Sequence, residues 1–255
     1  SGGLTRLERD RQWFGLRPTV RAEDLAGCDL VIEAVFEDLA LKRKVLAEVE
    51  AVVAPDAVFA SNTSALPIAL IAAKAKHPER VVGMHYFSPV PKMPLLEVVV
   101  AKKTAPWAVA TVRAFGVAQG KTVIVVKDGP GFYTTRILGP FINEAVVLLD
   151  EGVAIPALDA ALLDFGFPVG PVALLDEVGI DVAAHVSKDL GKAFAARGAA
   201  PSGTFTKLFD AGYRGRKNAK GFYLYPKGRP SGASKEVNPD VYAFFGGGSR
   251  RTMAT

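Results

Sequence analysis

The sequence predicts an α/β fold: part of a doubly wound sheet, followed by an all-α region. Three observations predict it. Up to about Val126, short apolar runs alternate with helically spaced segments, the rhythm of β-α units feeding a parallel sheet. Leu30, Val31, Ile32, Ala34 and Val35 form a near-continuous apolar run, as in a strand covered on both faces. After the turn cluster Asp128-Gly129-Pro130-Gly131 strand signals fade and helical spacing takes over, which marks a domain boundary.

Taken in order, Leu4 to Phe14 reads as a helix with Leu4, Leu7 and Phe14 on its apolar face. Leu16 to Val20 is a strand candidate that tolerates Pro18 only at an edge or an end. Asp29 to Phe36 is the clear strand. Glu37 and Asp38 then open a helix to about Val53, with Leu39, Leu46, Val49 and Val53 on one side; acidic residues suit the positive end of a helix dipole. Ala57 to Ala60 begins the next strand, which ends at Ser61-Asn62-Thr63-Ser64, and Pro67 to Lys76 is a short helix. Val81 to Phe87 and Leu95 to Val100 flank a loop containing Pro89, Pro91 and Pro94, so they read as an antiparallel hairpin. A helix over Ala105 to Ala118 and a strand over Lys121 to Val126 complete the sheet.

Helices are expected next over Thr134 to Glu151, Pro156 to Phe165, Pro171 to Ile180, Asp181 to Arg197 and Thr204 to Ala211. In the first of these, Ile137, Leu138, Phe141, Ile142, Ala145, Val146 and Leu149 are spaced to face inward. Turns and aromatics close the region by Tyr225. The expected organisation is an α/β domain over 1–127, a helical domain over 128–226, and a Gly-, Pro-, Ser- and Lys-rich tail over 227–255 that is poorly ordered.

Composition narrows the function. The chain has 255 residues and is 49% hydrophobic, enough for a sizeable core. The single cysteine, Cys28, excludes a disulfide framework and fits a reducing compartment. No His and Cys spacing suggests a metal site, no apolar run reaches membrane-span length, and no signal peptide is visible. The net charge is +5, with basic clusters at Lys42-Arg43-Lys44, Lys102-Lys103, Arg214 to Lys220 and Arg250-Arg251. No nucleic-acid motif accompanies them, which leaves solvated faces or a polyanionic small molecule.

The chemistry is expected at the hairpin. If its strands pair about Pro91, His85 faces Glu97. A carboxylate opposite an imidazole fixes the ring's tautomer and stabilises the imidazolium once the ring takes a proton. Read alone, the pair is equally a strand end and a solvated edge residue.

The motifs DLVIEAVFEDLALK (Asp29 to Lys42), ASNTSAL (Ala60 to Leu66), the hairpin, VVKDGPGF (Val125 to Phe132) and FGFPVGPVALLDEVGID (Phe165 to Asp181) occur in that order. Together they closely resemble 3-hydroxyacyl-CoA dehydrogenase, nearest to the dehydrogenase part of the multifunctional α subunit of fatty-acid β-oxidation. The likeness runs from Leu4 to about Tyr225. It implies a Rossmann-type NAD-binding domain and NAD-dependent oxidation of (3S)-3-hydroxyacyl-CoA to 3-oxoacyl-CoA. It implies His85 as base, Glu97 as its orienting partner, and Ser64 as hydrogen-bond donor to the reacting oxygen. Thr135 stands where monofunctional relatives commonly have an Asn that donates to the substrate carbonyl, and where the multifunctional α subunits resemble this chain in having Thr. Ala34, Glu37, Lys42, Asn62 and Ser88 are implied to touch the cofactor. The blander readings are a capping Ser64, a helix-start Thr135, and Glu37 and Lys42 on an exposed helix start.

By the same likeness the substrate is an acyl-CoA, and the partner is another copy or a thiolase subunit. The compartment is the bacterial cytoplasm, with the mitochondrial matrix as the alternative. Two departures stand out. Ala219 sits in a turn where relatives usually have Gly, a strained choice if its φ is positive. No G-x-G-x-x-G follows a strand and opens a helix. The sequence therefore reads as cut at both ends, and these residues alone are expected to bind NAD weakly. The rival reading is a catalytically inactive fragment serving as a folding or assembly module.

Overall fold

Alternation along the strands sorts the first half of the chain into two faces. A computed structural model describes residues 5–195, 202–226 and 235–245. The chain divides into two units, Ser1–Asp128 and Gly129–Thr255. The first holds a five-stranded sheet ordered β1-β2-β3-β4-β5. Its strands are β1 (Leu30–Glu33), β2 (Val58–Ser61), β3 (Val81–Tyr86), β4 (Leu95–Val100) and β5 (Thr122–Lys127). β1, β2 and β3 are parallel, β4 runs antiparallel to β3, and β5 lies parallel to β4.

One face packs Val58, Ala60, Val82, Met84, Leu96 and Val98 against Ala108 and Val112 of helix α4 (Pro106–Ala118). The other face carries Glu33, Ser61, Gly83, His85, Glu97 and Val99, because side chains two apart share a face and the register pairs Glu33 with Ser61, Ser61 with Gly83, and Gly83 with Val99. A Cβ on Gly83 would lie 2.7 Å from Val99 Cβ and 2.9 Å from Ile68 Cδ1, so only glycine lets the strands and helix α3 (Ile68–Ile71) approach this closely. Asp128 accepts from the N–H groups of Ile68 and Ala69, both at 2.8 Å, which anchors α3. Helix α2 (Leu39–Glu50) is capped by Asp38, whose side chain accepts from Leu41 N–H at 2.7 Å.

Helix α1 spans Arg6–Phe14. The strand expected over Leu16 to Val20 is not formed. The segment has no regular structure and joins no sheet, with Leu16 and Val20 exposed. Propensity without a neighbour to accept its hydrogen bonds does not make a strand. The helix expected over Pro67 to Lys76 breaks into α3 and a 3₁₀ turn over Ala72–Lys74. The Glu50 carboxylate takes up the next two N–H groups, of Lys76 and His77, at 2.9 and 3.0 Å.

The second unit is helical: α5 (Thr134–Asp150), α6 (Ile155–Phe165), α7 (Pro171–Val178), α8 (Ile180–Ala195) and α9 (Thr204–Asp210). Ile142, Ala145, Val146 and Leu149 of α5 enter its core. Ile137 and Leu138, expected inward, are instead 55% and 38% exposed. At that end of α5 the close approach is made by Gly139, where a Cβ would lie 2.9 Å from Leu190 Cδ1 of α8, so the packing stripe has turned away from them.

The tail expected to be poorly ordered is in part packed and hydrogen-bonded. Val241 and Phe245 are buried in the core, and Val237, Tyr242 and Phe244 pack against it half-buried. Leu224 N–H donates to Glu236 O at 2.8 Å and Asn238 N–H to Phe222 O at 2.9 Å. Apolar residues spaced through this stretch outweigh its polar composition. The rest of the expected tail, 227–234 and 246–255, lies outside the described residues, as does the expected helix end past Ala195.

Two buried aspartates pin the closing segment. Asp159 accepts from Val172 and Ala173 N–H at the start of α7, and from Tyr223 Oη at 2.6 Å. Asp176 accepts from Phe222 N–H, Tyr223 N–H and Tyr225 Oη at 2.9–3.0 Å. Burial pushes the Asp176 carboxyl above its ordinary range, against the pull of these bonds. Gly221 leaves room for that carboxylate: a Cβ there would lie 2.4 Å from Asp176 Oδ1. Ala219 adopts φ +59 in the preceding turn, the left-handed region an L side chain resists.

Candidate functional site

The site residues gather where β1, β2 and β3 end, the edge at which ligands collect in doubly wound sheets. His85 and Glu97 are directly opposed in the β3–β4 ladder. Nδ1 of His85 lies 2.6 Å from Glu97 Oε2, and both side chains are buried. With Glu97 ionised it can only accept, so Nδ1 carries the proton and the lone pair sits on Nε2. The Phe87 ring flanks the imidazole, with centroids 4.4 Å apart. Next along the strand, Tyr86 N–H donates to Asn62 Oδ1 at 2.8 Å. That bond ties the end of β2 to the residue beside His85 and leaves Asn62 Nδ2 as the group able to donate to a ligand.

A second cluster sits beside this pair. Glu37 Oε1 accepts from Thr63 Oγ1 at 2.6 Å, Ser64 N–H at 3.0 Å and Ala65 N–H at 3.2 Å. Its Oε2 lies 3.3 Å from Lys42 Nζ. Lys42 also donates to Glu33 Oε1 at 2.9 Å and Val35 O at 3.3 Å. Glu33 accepts in addition from Val35 N–H and Ser61 Oγ, both at 2.7 Å. The reading of Lys42 as part of an exposed helix start is corrected: it is 1% exposed. An ammonium has three N–H donors, and here all three have protein acceptors.

Glu37 is about half-exposed, with its side chain 43% accessible, and Ser64 and Ala34 are exposed. Ser88 lies on the exposed hairpin loop, which Lys121 Nζ braces through Val90 O and Met93 O. The structure thus brings together Glu37, Lys42 and Ser64, joins Asn62 to the strand of His85, and pairs His85 with Glu97. Thr135 belongs to the second unit, in the first turn of α5.

Sequence reasoning missed Glu33, Ser61 and Thr63. Glu33 did carry a signal: a charged residue inside an apolar strand run must find a partner. The donor set suits a nicotinamide nucleotide in part. Glu37 can accept from a ribose hydroxyl and Asn62 Nδ2 can donate, whereas Lys42 has no N–H left to give. Among the described residues no cluster of three His, Cys, Asp or Glu side chains could hold a metal ion. No helix there is long and apolar enough to cross a membrane.

Comparison with known proteins adds the following. The 3-hydroxyacyl-CoA dehydrogenase NAD binding domain profile matches residues 1–129, and the C-terminal domain profile of the same family matches 131–225. A fatty acid oxidation complex subunit alpha from Shewanella amazonensis is 51% identical over 243 residues, covering 95% of this chain and 34% of the relative. The chain thus spans about a third of the length of such relatives. Among solved structures, M. tuberculosis FadB2 superposes with a TM-score of 0.84 at 37% identity, covering 88% of this chain and 80% of that one. (S)-3-hydroxybutyryl-CoA dehydrogenase PaaH1 from Ralstonia eutropha gives 0.83 at 36%, with the same coverage of 88% and 80%.

Proposed function

Because this chain belongs to the 3-hydroxyacyl-CoA dehydrogenase family, we propose that it oxidises (3S)-3-hydroxyacyl-CoA to 3-oxoacyl-CoA with NAD. The observation that carries the reading is the buried 2.6 Å contact between His85 Nδ1 and Glu97 Oε2 at the strand ends. It leaves Nε2 to take the proton of the 3-hydroxyl, and it sets a negative charge behind the imidazolium that forms. Ser64, exposed on the loop held by Glu37, donates to the reacting oxygen as its charge grows. By the family likeness, Thr135 supplies a hydroxyl for the substrate carbonyl. NAD, when bound, supplies the hydride acceptor. Glu37, Asn62 and the backbone at Ala34 hold its nicotinamide ribose, Ser88 borders it, and Lys42 acts behind Glu37.

The relatives take their name from a fatty acid oxidation complex. By that likeness the chain works in the cytoplasm as the dehydrogenase section of such an assembly, with a thiolase as the second subunit. Purified protein given (3S)-3-hydroxybutyryl-CoA and NAD should form NADH, and the 3R isomer should not react. No NADH from 3S substrates of any chain length would overturn the reading.

A further inference from the structure

Glu33 is not part of the proposed chemistry, yet it sits where three elements meet. It ends β1 and is 4% exposed. Its carboxylate accepts from Val35 N–H, Lys42 Nζ and Ser61 Oγ. A buried carboxylate is costly unless paired, and its charged partner is Lys42, itself 1% exposed. Lys42 in turn holds Oε2 of Glu37, while Oε1 of Glu37 holds the N–H groups of Ser64 and Ala65. The path from the sheet interior to the Ser64 loop therefore runs through one cation and two carboxylates. If Lys42 met Glu37 alone, its unbalanced buried charge would draw the Glu37 carboxylate toward it, and the Ser64 loop would compete with the ammonium for those oxygens.

We propose that Glu33 is a positioning residue: by balancing Lys42 it leaves Glu37 free to hold Ser64 in place. The inference deepens the proposed dehydrogenase function and rests on it for the role of Ser64.

Amide exchange followed by NMR reads the grip directly, because the Ser64 and Ala65 amides donate to Glu37. In Glu33→Gln these two amides should exchange about tenfold faster, the weight of one hydrogen bond to a charged group. The Val82 and Val98 amides should be unchanged. Ser61→Ala removes a bond to Glu33 that lies off this path and should leave the loop amides as they were. Where Glu33→Gln does not fold, Glu33→Gln/Lys42→Met removes both buried charges and with them the competing ammonium, so its Ser64 and Ala65 amides should exchange as in the parent, and faster exchange there would overturn the proposal.

In turnover, Glu33→Gln should lower kcat about tenfold and keep the acyl-CoA KM within about twofold. At saturating NAD, adding Glu37→Gln should cost little more kcat, since both act on one loop, while its lost ribose contact raises the KM for NAD. Unchanged exchange at Ser64 and Ala65 in folded Glu33→Gln, or kcat losses that add in Glu33→Gln/Glu37→Gln, would overturn the proposal. Exchange needs neither substrate nor cofactor, so it decides the inference even where the unmodified protein turns nothing over.

Discussion

Replacing Glu97 by Gln separates the charge of the His85 partner from its shape. A glutamine oxygen at the same place still accepts from Nδ1–H, so the tautomer is kept. Only the negative charge is removed. When Nε2 takes the substrate proton, the ring charge forms roughly 4 Å from the Glu97 carboxylate, given the 2.6 Å contact. At an effective dielectric of about 20, two unit charges at about 4 Å attract by about 4 kcal/mol. At about 1.4 kcal/mol per decade, full proton transfer would make the loss about 10³-fold, and half transfer about 30-fold. We therefore expect kcat for oxidation of (3S)-3-hydroxybutyryl-CoA to fall about 10²-fold in Glu97→Gln, with little change in KM. The assay is steady-state NADH formation at saturating NAD, paired with a thermal melt to show that the variant is folded. Glu97→Leu should lose more, because the tautomer is then unheld. A folded Glu97→Gln variant with kcat within about threefold of the parent would refute the dyad.

Three further outcomes are expected. Ser64→Ala should lower kcat about 10²-fold and barely change acyl-CoA binding, whereas Thr135→Val should do less; steady-state kinetics showing equal or reversed losses would make Thr135 the main donor. Ala219→Gly should raise stability by about 1 kcal/mol, visible as a melting point a few degrees higher, because it relieves the left-handed φ of +59. Asp176 has a folded-state pKa raised by burial above its ordinary 3.8, so the folded chain binds that proton more tightly than the unfolded one. Its contribution to stability is greatest below that ordinary value and declines as pH rises through the folded-state value. Denaturant titrations should show parent minus Asp176→Asn stability shrinking as pH climbs out of the acid range, and a difference that grows instead would remove this account.

The pairing of His85 with Glu97 was legible because a hairpin's register follows from its centre, and Pro91 marked that centre. The helices of the second unit were legible because their apolar spacing is long and regular. Glu33 was hidden for the opposite reason. Its partners Lys42 and Ser61 lie nine and 28 residues away, and no local pattern joins them. Leu16 to Val20 had strand composition without a partner strand. Val241 and Phe245 pack in the core and Val237 against it, yet glycines, prolines and charges around them lower the average over any window. The amino end of α5 failed because the stripe is set by what Gly139 meets, not by spacing alone.

Gly83 has a bearing on how this protein would respond to random mutation. It lies two residues from His85 on the same face, and any side chain there would collide with Val99 and Ile68. The collision would push β3 from β4 and open the gap between imidazole and carboxylate without altering either. A survival screen would rank Gly83 as intolerant as His85, although glycine carries no reactive atom. Biochemical rescue would tell them apart: a compensating cut-back at Val99 could restore a Gly83 variant, and no neighbour could replace a lost imidazole.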